Sequence, residues 1–171
     1  NLMGEITSLF DVADLHLHAE VITKTQVSLD KITATFRNHP DISIFHFGGH
    51  ASGEALALEK GDETQYAFME GLTSYLGKQE YLQVVFLNGC ETQAHAEALI
   101  RNGVSYVIAT SVEIKNHVAI EFAKHFYSEI AKHKSVTMAY ECAKVATTEY
   151  KSVEQTYKKQ TQNNQHIPPI Q

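Results

Sequence analysis

Cysteine is scarce in this chain: two residues in 171, Cys90 and Cys142, too few for a disulfide scaffold. A basic excess is also lacking, because 14 Lys and Arg stand against 20 Asp and Glu for a formal net charge of −6. With no basic stripe to reverse that balance, a nucleic-acid or anionic-membrane partner is disfavoured. No apolar run approaches the roughly 18 residues of a membrane helix, and nothing near the start resembles a signal peptide. A reducing cytoplasm is therefore the expected compartment. The chain opens on Asn1 rather than Met, which leaves room for a longer parent. What is present is ordinary for a soluble globular protein, 43% hydrophobic and 20% charged, and the length suits one domain able to bury its own core.

Strand-like and helix-like segments alternate, as in an α/β domain with a mostly parallel sheet. Residues 4–14 look like the end of a helix, "HLHAEVI" like a strand, and "SLDKITATFRN" like a helix capped by Ser28. A strand follows at 42–47, then "EALALEKGDET" as a short hairpin around Gly61 and Asp62. "QYAFMEGLTSYLGKQE" has helical spacing, with Phe68, Leu72, Tyr75 and Leu76 on one face. "LQVVFLN" is a continuous apolar run of the sort buried on both sides in a parallel sheet. A helix is expected at about 92–101, stopped by Asn102 and Gly103, and "VSYVIAT" gives another buried strand. Two more helices are expected, over 114–132 with Val118, Phe122, Phe126 and Ile130, and over 135–157 with Val136, Ala139, Tyr140, Ala143 and Val145. From Lys158 the chain is polar and then proline-broken, so 1–157 is read as the domain and 158–171 as a tail or linker.

Two strand ends carry chemistry. In "DISIFHFGGHA" the alternation puts Ile42, Ile44 and His46 on one side, and the pleat is lost at Gly48 and Gly49, leaving His50 on the loop beyond. In "VVFLNGCET" Cys90 directly follows a buried strand and precedes a helix, where backbone N–H groups and the helix dipole favour thiolate. One helix-bearing crossover joins the two strands, which makes them expected neighbours with His50 and Cys90 across a cleft at the sheet's C-terminal edge. A thiolate beside an imidazole is the minimum machinery of a cysteine peptidase. On spacing alone, Cys90 as a small buried residue and His50 as an ordinary loop residue remain equally open.

"HFGGH" and "VVFLNGCET" together resemble the CHAT family, caspase-like domains found in bacteria and often joined to TPR repeats. "GVSYVIATSVEI", "AIEFAKHFYSEI" and "SVTMAYECA" resemble that family's downstream strand and helices, so the likeness runs from about residue 15 to 147. It implies a three-layer α/β/α sandwich and a cysteine endopeptidase with His50 as catalytic histidine and Cys90 as nucleophile. By the same resemblance, the backbone amides of Ala51 and Cys90 hold the oxyanion, Ala51 standing where the family usually has Gly. Asn88, two before the nucleophile, corresponds to a wall of the caspase S1 pocket. Glu91 and Glu113 lie at strand ends near the expected cleft, where a carboxylate would favour a basic P1 side chain, or both are simply solvated. The resemblance further implies a protein or peptide substrate, no cofactor or metal, and control by other domains such as TPR repeats or a sensor. Caspase-like sheets usually have an earlier central strand and a final one, and the chain is expected to lack them and to be a weak peptidase or an inactive one by itself.

Other sites compete. "DLHLHAE" resembles the metal-binding opening of the PHP phosphoesterases, with His16 and His18 on one strand face, but such a site needs further ligands in a longer barrel. His46 is expected to pack near the active-site loop, although it is the alternative to His50. His95 is expected on a helix surface, and Cys142 in a buried helix face. A catalytically silent caspase-like scaffold is the alternative function, and a flavodoxin-like ligand-binding domain is disfavoured by the lack of a Gly-rich phosphate loop.

Overall fold

Ser28 opens the first helix as its sequence predicts, its Oγ accepting the Lys31 N–H at 3.3 Å. That helix, α1 (Leu29–Asn38), turns Ile32 and Phe36 inward and carries Asp30 and Arg37 at the ends where the dipole favours each charge. The computed structural model describes residues 19–52, 54–60, 63–89, 91–110, 115–147 and 157–161. They divide between two compact units, one built on 24–113 with the closing strand, the other on 114–155.

In the first unit, β1 (Ile44–Gly48) is followed by the antiparallel pair β2 (Ala55–Lys60) and β3 (Glu63–Phe68), then α2 (Met69–Gly77) and β4 (Val84–Asn88). After β4 come α3 (Gln93–Arg101), β5 (Tyr106–Thr110) and, much later, β6 (Tyr157–Thr161). The main sheet runs β1-β4-β5-β6, with the first three strands parallel and β6 antiparallel to β5. This is a mixed α/β fold with a mostly parallel sheet. Val85, Leu87, Val107 and Ala109 point into a core shared with Ile32, Phe36, Leu72, Leu76 and Leu99. The alternate residues Val84, Phe86 and Ile108 are fully buried too, so both faces of the central strands are covered, as their unbroken apolar runs require.

The second unit is a pair of packed helices, α4 (Asn116–Ala131) and α5 (Val136–Ala146). Phe122 meets Tyr140 edge-on at 5.8 Å, and Val118, Phe126, Ala139 and Ala143 are buried around them.

Several boundaries differ from the sequence reading. The helix expected from Gln65 begins only at Met69, because "QYAF" completes the hairpin, and Phe68 is 66% exposed rather than on a buried helix face. Residues 19–24 form no strand, and the rest of the expected "HLHAEVI" strand lies outside the described residues, as do the helix expected at 4–14 and the turn at Gly61 and Asp62. Helix α5 stops at Ala146, and Val145 is 72% exposed because at 3.6 residues per turn it falls on the side opposite Val136. The segment read as a polar tail starts inside β6; lysines are common on edge strands, so polarity there does not prevent pairing. No described helix is long and apolar enough to cross a membrane.

Candidate active site

Strands β1 and β4 pair in parallel with Gly48 opposite Asn88, so both chains leave the sheet at the same level. The Gly49 N–H then donates to the Asn88 carbonyl at 3.2 Å. A Cβ on Gly89 would lie 2.8 Å from the Gly49 oxygen and 3.0 Å from the Ala51 Cβ, so only glycine permits this approach. The residue before Cys90 thus touches the residues on either side of His50. Cys90 itself lies outside the described residues, as do Glu113, His16 and His18.

The turn around that position is held tightly. Glu91 has φ +52°, a left-handed conformation uncommon for a residue with a side chain and one that concentrates at functional sites. Thr92, fully buried, accepts the Thr110 N–H on its Oγ1 at 2.9 Å, and the Thr110 hydroxyl donates to the Gly89 carbonyl. Two buried threonines therefore tie the β4–α3 turn to the end of β5. Nothing in the sequence singled them out as a pair, since Thr110 at a strand end reads as β propensity and Thr92 before a helix as an N-cap.

The loop after β1 is held from its other side by the hairpin. The Ala57 N–H donates to the His50 carbonyl and the Ser52 N–H to the Ala55 carbonyl, both at 2.9 Å, flanking a bridge between Ala51 and Leu56. In such a narrow antiparallel pair the central residues spend no N–H on each other, so the Ala51 amide takes no part in the ladder. Its methyl packs on the core cluster and abuts Gly89. The His50 side chain is exposed, and Asn88 is half-buried at the end of β4.

Two other histidines are placed with equal definition. His46 stacks on Phe86 with ring centroids 4.5 Å apart, and burial pushes its pKa down to about 4, although the residue as a whole is only partly buried. His95 is not on a helix surface: it is 2% exposed, and its Nε2 lies 2.7 Å from the Ser52 carbonyl. Burial, partly offset by that bond, holds its pKa below the ordinary value. The helix reading failed there because the partner is a backbone oxygen far away in sequence, which no local periodicity reports. Cys142 is half-buried rather than enclosed on α5. No group of three or more His, Cys, Asp or Glu side chains is placed to hold a metal among the described residues.

The arrangement can present an imidazole and an uncommitted backbone amide beside the turn that carries a thiol. Known proteins bear on what that is for. A family model described as the CHAT domain matches residues 3–168. Among solved structures, the Arg-specific cysteine proteinase gingipain R superposes with a TM-score of 0.69 at 14% identity, over 92% of this chain and 40% of that one. The chain thus spans well under half of that proteinase and shares its caspase-like fold. No curated protein matches the sequence.

Proposed function

The chain belongs to the CHAT domain family, and from that premise we propose that it is a cysteine endopeptidase in which Cys90 is the nucleophile and His50 its acid–base partner. The observation that carries the reading is the contact of Gly89 with Gly49 and Ala51, which sets the residues flanking both members of the dyad against each other. In the reaction the Cys90 thiolate attacks the scissile carbonyl carbon. The oxyanion accepts hydrogen bonds from the amides of Ala51 and Cys90, and the Ala51 amide suits that role because the hairpin ladder leaves it unspent. The C–N bond then breaks as His50 protonates the departing amine, and water, giving its proton to His50, hydrolyses the acyl-enzyme. Thiolate is favoured by the N-terminus of α3, which begins at Gln93.

Asn88, Glu91 and Glu113 are proposed to line the P1 site, where the two carboxylates would favour a basic side chain. The substrate is a protein or peptide, no cofactor or metal takes part, and control comes from other domains or partners such as TPR repeats.

Limiting iodoacetamide followed by peptide mapping tests the nucleophile. Cys90 is expected to alkylate before the half-buried Cys142, and Cys90→Ala to abolish hydrolysis of a fluorogenic peptide library with the circular dichroism spectrum unchanged. Preferential labelling of Cys142, or retained cleavage in Cys90→Ala, overturns the reading.

A further inference from the structure

We propose that His95 is a positioning residue, whose Nε2–H clamps the loop carrying His50 and Ala51 to the helix that follows Cys90. The proposal rests on the peptidase reading above and assigns a role to a buried side chain that the chemistry itself does not use.

A carbonyl oxygen only accepts, so the 2.7 Å contact between His95 Nε2 and the Ser52 oxygen fixes the ring nitrogen as the donor. With its pKa held down by burial, the ring is neutral at pH 7 and carries one N–H, which is spent on Ser52. A polar ring at 2% exposure without that partner would be costly, so burial and bond depend on each other. The geometry determines what the bond does. Ser52 stands one residue beyond Ala51 and two beyond His50, and its N–H is already committed to the Ala55 carbonyl on the hairpin side. Its carbonyl, on the other side of its Cα, is drawn to α3 by His95, so residue Ser52 is held to the hairpin through its N–H and to the helix through its C=O. With both sides of Ser52 fixed, the backbone just before it, which carries the Ala51 amide and His50, has less freedom to move.

Among the described residues the two loops also meet through a backbone bond, Gly49 to Asn88, and through the close approach of Gly89 to Gly49 and the Ala51 methyl. His95 adds a side-chain tie that substitution can remove. Its effect belongs on the alignment of donor and imidazole in the transition state, and not on the affinity for the ground-state peptide.

Two variants of the full chain test this. His95→Leu fills the space without a donor, and His95→Gln restores an N–H at similar reach. The expected result in His95→Leu is a fall in kcat of about 10- to 100-fold, the scale of a small misplacement of catalytic groups, with KM within about twofold of wild type. His95→Gln should recover most of the kcat. Hydrogen exchange should quicken over residues 49–57 in the leucine variant and remain protected in the glutamine one. Unchanged kcat in His95→Leu, equal losses in both variants, or exchange that quickens evenly through the sheet and helices would each overturn the clamp. If the wild-type chain cleaves no peptide in the library, the exchange pattern by itself decides whether His95 holds the loop, and the iodoacetamide labelling of Cys90 against Cys142 decides the peptidase reading.

Discussion

Thr92 and His46 show how much a single buried polar group decides here. Thr92 Oγ1 is the acceptor for the buried Thr110 N–H, so Thr92→Val keeps the shape and leaves that donor unmatched. An unfolding free energy lower by about 1–3 kcal/mol is expected from urea titration, with slower cleavage as the β4–α3 turn loosens. His46 works through pH. Its pKa is about 4 in the folded chain against the ordinary 6.5. The unfolded chain therefore takes up the proton first as pH falls, and stability present above pH 6.5 is lost down to about pH 4. The loss from this group is on the order of 1–3 kcal/mol, discounted for the partial exposure of the residue. Replacing His46 with Phe, which can still stack on Phe86, should narrow the gap between urea midpoints measured at pH 7 and pH 4.5. An unchanged gap would assign the acid sensitivity to other groups.

At the scale of elements, α2 and α3 are spaced by glycine at their C-terminal ends. A Cβ on Gly77 would collide with the backbone carbonyl of Asn102, whereas one on Gly71, in the same helix, would meet nothing within 4 Å. Gly77→Ala is therefore expected to cost about 1–3 kcal/mol by forcing the two helices apart. Gly71→Ala should instead stabilise by about 0.5–1 kcal/mol through helix propensity. Thermal melts of the pair distinguish the two, and a destabilising Gly71→Ala would contradict the open space at that position. The same close packing matters for the site, because α3 begins in the turn held by Thr92 and carries His95. A displaced α3 should lower kcat in Gly77→Ala before the fold is lost.

For the whole molecule, the chain matches 40% of the gingipain R chain, so the rest of a larger peptidase has no counterpart here. By the proposed control from other domains, turnover of one fluorogenic peptide should be higher in a chain that carries such domains than in these 171 residues. Equal turnover would show that the domain suffices. In both, a chelator should leave the rate unchanged, since the proposed chemistry uses thiolate, imidazole and backbone amides. His50→Ala should reduce it far more than His18→Ala, and loss of activity on metal removal would revive the metal reading of His16 and His18.

The order of elements from α1 to α5, the adjacency of β1 and β4, and the positions of His50 and Cys90 just beyond those strands were legible in the sequence. They depend on local signals: unbroken apolar runs, the Ser28 cap, the Gly48–Gly49 stop, and a crossover too short to place the strands apart. The proposed pairing of His50 with Cys90 needed more than spacing, and came from resemblance. Tertiary structure decided the rest. Where β3 ends and α2 begins, whether a lysine-rich segment pairs as β6, and which partners bury His95 and Thr92 all depend on groups far away in the chain. The hydrogen bond from His95 spans 43 residues and that between Thr92 and Thr110 spans 18, well beyond the reach of helix or strand periodicity. A buried polar side chain is stable only where a distant backbone group meets it, and that meeting exists only once the chain has folded.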